Sequence, residues 1–79
     1  MDPHDSRRLI MVPMLVDVAA DAAILRFAPT GQEANLVRMC SCECSELRGD
    51  VHLDVDDQGR LQSIEILGIR AVIPTELLR

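Results

Sequence analysis

The alternation of apolar and polar residues between positions 50 and 67 constrains the fold of this chain more than any other feature. Residues 50–56 alternate with period two, as a strand does when one of its faces lies on a core. Residues 60–67 form a second strand-like segment, and the turn between the two ends at Gly59. Glycine adopts the left-handed conformation that closes many β-hairpins. The segment therefore predicts a hairpin with an acidic turn.

The alternation also predicts the register of this hairpin. A slip of one residue would place Leu53 opposite Ser63 and break the apolar face, so the register is strongly specified. The register that keeps the face intact pairs Val55 with Gln62, Leu53 with Ile64 and Val51 with Ile66.

A calcium-binding loop is the competing interpretation of the same residues. Asp54, Asp56, Gln58, Gly59 and Glu65 occupy positions 1, 3, 5, 6 and 12 of the EF-hand pattern, with only Gln58 departing from it. An EF-hand needs a helix on each side of its loop, whereas both flanking segments here are strand-like. Glu65 would lie inside a strand, where it could not turn back to the ion. The flanks favour the hairpin.

The rest of the chain predicts a mainly β protein: an antiparallel meander of five to six strands with a short C-terminal helix. Gly49 ends a turn that begins at Ser45, and we expect it to adopt the left-handed conformation. The predicted strands cover residues 9–16, 22–28, 35–44, 50–56 and 60–67, with a short edge strand at 71–73, a turn at 17–21, a loop at 29–33 and a helical segment at 74–78. Residues 1–8 are predicted to be a disordered N-terminal tail, and residues 9–79 a single small β-rich domain.

The composition favours self-association. A chain of 79 residues buries a small fraction of its surface, and small domains usually need a staple or a partner subunit. Phe27 is the only aromatic residue, so the core has to be built from aliphatic side chains. We therefore expect a homodimer.

The charge distribution disfavours nucleic acid and favours a basic protein as partner. The net charge is −5, and the eight basic residues, all arginine, are scattered along the chain, which contains no clustered positive footprint for phosphate. Arginine in place of lysine also indicates a bacterial source. The Ser6-Arg7-Arg8 sequence resembles a twin-arginine signal, but the apolar run after it is short and contains Pro13. No run reaches the ~18 apolar residues of a membrane span. We expect a cytoplasmic protein that does not bind membranes.

Three cysteines at alternate positions are the clearest candidates for metal ligands. With His52 from the neighbouring strand, Cys40, Cys42 and Cys44 could supply a Cys3His zinc site. Residues two apart on a strand are separated by about 6.5–7 Å, whereas two thiolates on one zinc ion lie about 3.8 Å apart. The parity of His52 also places it on the wrong face. We therefore predict no metal site and no cofactor, and interpret the cysteines as small buried apolar side chains.

Catalysis has little support in the sequence. His52 lies between Asp50 and Asp54 on one face of its strand, an arrangement that could provide a general base but is more often a solvated face. The other histidine, His4, lies in the predicted tail. The chain contains no nucleophile motif, phosphate loop or cofactor fingerprint, so we predict that it is not an enzyme and has no catalytic residues.

Three blocks of the chain resemble a family of small bacterial proteins of unknown function. Residues 16–27 resemble the pattern "YDpeaDaLYIrF", residues 54–67 resemble "DyDedGrlvGIEIL", and residues 74–78 resemble "LPeelL". The resemblance covers residues 15–78. The departures from the pattern are Val18, Ala23, Ile24 and Ser63, and the cysteine triplet is not part of it.

The resemblance implies a compact β-rich domain and no established activity. An antitoxin-like role is an analogy at the level of the family. We therefore expect a non-catalytic module for protein binding or assembly. The alternative is a metal-binding protein that uses Cys40, Cys42 and Cys44 with His52, or the turn of Asp54 and Asp56.

Overall fold

The computed structural model describes residues 5–27 and 36–78, and for Leu36 and Val37 the backbone alone. The described chain is mainly β, with five antiparallel strands and a short helix near the C-terminus, which confirms the predicted fold class. The elements are β1 (Met14–Asp17), β2 (Ala22–Arg26), β3 (Leu36–Cys42), β4 (Asp50–Asp56), β5 (Leu61–Leu67), α1 (Ile69–Val72) and a closing 3-10 helix (Thr75–Leu78). The predicted loop at 29–33 lies outside the described residues.

The five strands form one sheet in the order β1-β2-β5-β4-β3. The hairpin β1-β2 and the consecutive strands β3, β4 and β5 are joined where β5 pairs with β2, so β1 and β3 are the two edges. This non-local pairing brings together residues some forty positions apart in the chain, such as Leu25 and Ile64. It is the one place where the strand order departs from a plain meander.

The predicted register of the β4-β5 hairpin is confirmed at two of its three pairs. Val51 lies opposite Ile66 and Leu53 opposite Ile64, as the apolar alternation requires. Val55 lies opposite Leu61 rather than Gln62, because the register shifts between Asp54 and Val55. Such a bulge leaves one residue of the pair of strands unmatched. The Gln62 side chain donates a hydrogen bond to the carboxylate of Asp56, so the extra residue helps to close the turn.

The first strand is shorter than predicted. It begins at Met14, so the apolar residues before Pro13 do not belong to the sheet. The carbonyl of Pro13 still accepts a hydrogen bond from Arg26, at 3.2 Å, and pairing ends there. Proline has no N–H to donate, which is consistent with a strand that ends beside it.

The predicted edge strand at 71–73 is wrong, because the chain forms a helix there. Gly68 has φ 77°, and this left-handed residue turns the chain out of β5 directly into α1. The carbonyl of Asp21 accepts hydrogen bonds from Gly68 and Ile69, and its carboxylate accepts one from Arg70 at 3.0 Å. The turn between β1 and β2 therefore holds the start of α1. The predicted helical segment at 74–78 is confirmed as the 3-10 helix.

The core lies between α1 and one end of the sheet. Among the described residues the buried apolar side chains are Ala23, Ile69 and Ile73, with Ile69 only 1% exposed. Met14, Ile66, Val72 and Leu78 pack against them as partly buried neighbours. Ala23 and Ile66 lie opposite each other on β2 and β5, so α1 covers the face of the sheet that carries them.

Gly49 does not adopt the left-handed conformation predicted for it, since the described glycines with positive φ are Gly59 and Gly68. A Cβ atom at Gly49 would collide with the carbonyl oxygen of Leu67 and lie 2.5 Å from Cγ2 of Val72. The position therefore requires glycine because two elements approach its backbone closely.

Candidate functional site

The acidic hairpin turn is closed by a single carboxylate. Asp56 Oδ1 accepts hydrogen bonds from the backbone N–H groups of Gln58, at 2.9 Å, and Arg60, at 2.8 Å. Its Oδ2 accepts one from Gln62 Nε2 at 2.8 Å and lies 3.5 Å from Arg60 Nε. The Arg60 N–H, then the Gln58 N–H and the Arg60 charge, lower the pKa of Asp56 against the opposing effect of burial. Gly59 completes the turn at φ 76°.

These contacts account for the residues that resemble a calcium loop. The Asp56 oxygens are engaged by donors of the protein, and Asp54 Oδ2 accepts a hydrogen bond from the Ser63 hydroxyl at 2.6 Å. Glu65 lies within β5, opposite His52 on one side and Ile24 on the other. The structure therefore assigns the acidic residues of the loop to hairpin closure.

The sheet separates the candidate zinc ligands, for which the sequence predicted no site. Cys40 lies opposite Leu53 and Cys42 opposite Val51, so both thiols share the apolar face of β4. His52 belongs to the other face, because neighbouring residues on a strand point to opposite sides. In the described part of the chain, no group of three or more His, Cys, Asp and Glu side chains is arranged to hold a metal ion.

The prediction that all three cysteines are buried is wrong. Cys40 is half-buried, while Cys42 and Cys44 are exposed. They lie on or just after β3, the edge strand, where no described element covers the sheet. The Cys44 thiol donates to Glu46 Oε2 at 3.4 Å. The pKa of Glu46 is lowered by its own backbone N–H first, and then by Cys44 and Ser45.

His52 lies in a polar row across three strands. Ser41 of β3 and Glu65 of β5 are directly opposite it. The Nδ1 atom of His52 is buried and has no hydrogen-bond partner among the described residues. The predicted row of Asp50, His52 and Asp54 does share this face, but Asp54 is engaged by Ser63. The row therefore contains candidate groups without the hydrogen-bond chain of a general base.

The face of the sheet opposite the His52 row is covered by α1 at one end and carries an apolar surface at its other end that α1 does not reach. Leu25, Ile64 and Leu53 lie side by side across β2, β5 and β4, and Val55 lies opposite Leu61 one step further from α1. Phe27, two residues beyond Leu25, is 45% exposed, and Leu61 is exposed as well. The open apolar patch consists of Leu25, Phe27, Leu53, Val55, Leu61 and Ile64.

A second apolar segment lies in solvent next to this patch. Residues 9–11, the apolar arm, are 89%, 66% and 83% exposed. The arm leaves the sheet at Pro13, whose carbonyl pairs with Arg26 at the end of β2 that carries Phe27. The arm and the open apolar patch therefore belong to the same end of the sheet.

The sequence contained a signal for these surfaces that the strand prediction did not use. Residues 9–16 form a continuous apolar run with Pro13 inside it, whereas a half-buried strand alternates. A run without alternation indicates a segment that needs cover on both faces. The part of the chain that the structure describes does not supply that cover for residues 9–11.

The comparisons with known proteins give a family and no activity. The model of a family described as "Protein of unknown function (DUF2283)" matches residues 15–70. No curated protein and no solved structure matches significantly. Of the helices among the described residues, none is long and apolar enough to span a membrane.

Proposed function

The chain belongs to the DUF2283 family of proteins of unknown function, and we propose that it is a non-catalytic assembly module that associates with a second copy of itself through the open apolar patch. The observation that carries this proposal is the exposure of Phe27, the only Phe, Tyr or Trp side chain in the protein, and of Leu61, beside the half-buried apolar residues of the same patch. Exposed apolar surface of this kind marks interaction sites in soluble proteins.

The composition of the chain supports the proposal. A domain of 79 residues with a single Phe, Tyr or Trp side chain has little apolar volume for a core of its own. Small domains usually need a staple or a partner subunit.

The concentration dependence of the molecular mass tests the proposal. Sedimentation equilibrium of the full chain is expected to give a mass approaching twice 8.8 kDa as concentration rises. Phe27→Gln should weaken this association by roughly tenfold or more, since each copy loses one apolar side chain from the interface. Met39→Gln is the matched control, because Met39 is 60% exposed on the opposite face of the sheet. A wild-type chain that stays monomeric at millimolar concentration contradicts the proposal.

The proposal extends to a further protein partner and to the cellular compartment. A net charge of −5 suits a basic protein as a further partner, and an antitoxin-like role would require one. We place this module in the cytoplasm. A native mass spectrum distinguishes the assembly module from the metal-binding alternative, because a stoichiometric zinc adduct would contradict a module without metal.

A further inference from the structure

We infer that two copies of the chain exchange their apolar arms, so that residues 9–11 of each copy lie on the open apolar patch of the other. This inference rests on the proposed self-association and names the segment that completes it. The arm is exposed throughout, and the patch is exposed at Phe27 and Leu61 and half-buried at its other residues. A contact of arm with patch in both directions closes under two-fold symmetry, the commonest symmetry of small oligomers.

The position of the arm favours a second copy as the occupant of the patch. Met14 lies opposite Leu25, so the chain before Pro13 continues past the end of β2 and away from its own strands. The residue before a proline favours an extended conformation, which gives the arm its reach. Leu9 and Met11 are more than four-fifths exposed, so the arm does not lie on its own sheet.

The arm is long enough for this exchange. Residues 9–12, which precede the last bond of the chain to its own sheet at Pro13, span about 13 Å in an extended conformation at about 3.3 Å per residue. The patch extends over β2, β5 and β4, which is about 10 Å at the usual spacing between strands. An extended arm can therefore cross the whole patch.

Charge supports the same arrangement. Arg8 precedes the arm, is exposed and makes no ion pair within the described residues. The acidic turn that contains Asp57, also exposed, lies at the end of the hairpin next to the patch. An arm seated on the patch of the second copy brings a guanidinium group towards that acidic turn. Opposite charges at the rim of an interface fix orientation more than they add affinity.

The first test replaces the arm in the full chain. The triple variant Leu9→Ser, Ile10→Ser, Met11→Ser is expected to weaken the dimer at least about 100-fold, since burial of one such side chain changes an association constant by roughly tenfold or more. The control is the double variant Val18→Ser, Leu77→Ser, which changes exposed apolar residues outside the arm and the patch. The dimer of the control should have the wild-type dissociation constant by sedimentation equilibrium. A triple variant that dimerises like wild type overturns the exchange while self-association stands.

The second test uses the wild-type chain and does not depend on the folding of a variant. In a sample that mixes copies with 13C-labelled methyl groups and unlabelled copies, isotope-filtered NMR reports contacts between copies. Phe27 is the only Phe, Tyr or Trp residue, so once the ring protons of His4 and His52 are assigned, every other contact between a methyl group and an aromatic ring identifies Phe27. We expect contacts between copies from Leu9 or Ile10 methyl groups to the Phe27 ring. Arm contacts to Phe27 only within one copy, or no arm contacts in a sample that is dimeric, overturn the exchange. A sample that is monomeric at this concentration refutes the proposed function as well.

Discussion

The close approach at Gly49 leads to a sharp prediction about stability. In Gly49→Ala the added Cβ would lie 2.5 Å from Val72 Cγ2 and nearer still to the Leu67 carbonyl oxygen. Carbon atoms in contact normally lie about 3.5–4.0 Å apart, so the overlap with Val72 is at least about 1 Å. The Leu67 oxygen belongs to the backbone at the end of β5, directly before Gly68, and cannot move without shifting α1.

The expected cost of this substitution is about 3 kcal/mol. Overpacking typically costs about 1–3 kcal/mol, and an obstructing backbone atom places Gly49→Ala at the upper end of that range. In a domain of this length, each 1 kcal/mol lowers Tm by about 4–8 °C. Urea unfolding followed by circular dichroism, with Tm from thermal unfolding, measures the effect.

Gly59 provides the matched control. A Cβ at Gly59 would meet nothing within 4 Å, but the residue has φ 76°. Gly59→Ala should therefore cost about 1–2 kcal/mol through backbone strain alone. The double variant Gly49→Ala, Val72→Ala should be less destabilised than the sum of its single variants, since the second change removes one of the two collisions. A Gly49→Ala variant no less stable than Gly59→Ala would refute the close-approach argument.

Three further outcomes are expected. Ile69→Ala removes the most buried side chain and should lower the free energy of unfolding, measured by urea unfolding, by about 2–5 kcal/mol. Leu77→Ala, at a residue 63% exposed, should change the free energy of unfolding by less than about 0.5 kcal/mol. Equal effects of the two variants would contradict the assigned core. Asp21→Ala should cost about 2–3 kcal/mol, because alanine at φ 54° is strained and the Arg70 N–H loses its carboxylate acceptor, while Asp21→Asn should recover most of the loss in Tm. Asp56 has a lowered pKa in the fold, so its contribution to stability is present above its ordinary pKa of about 4 and is lost as pH falls through the lowered value. Urea unfolding between pH 2 and pH 6 should therefore show a steeper loss of stability below pH 4 for wild type than for Asp56→Asn. Parallel curves for the two proteins would contradict the role of this carboxylate.

The sequence predicted those features of the candidate site that depend on the alternation of side chains between the two faces of a strand. Alternation placed His52 on the face opposite Cys40 and Cys42, and the register confirms that separation. The exposure of Cys42 and Cys44 was not predicted, because it depends on β3 being an edge strand. The open apolar patch was missed for a similar reason. Phe27 fits a core strand in the sequence, and only the extent of α1 shows that this end of the sheet is uncovered.

The sequence by itself determined the local elements: the β4-β5 hairpin, its apolar register at Val51 and Leu53, the left-handed Gly59 and the closing helical turn. Each follows from the preferences of residues that are neighbours in the chain, and a strand or turn expresses those preferences over a few positions. Only the tertiary structure decided that β5 pairs with β2, that residues 69–72 form a helix against Ala23, and that Gly49 meets Leu67 and Val72. These features depend on which distant segments meet, and the burial gained where they meet outweighs the strand preference of Val72.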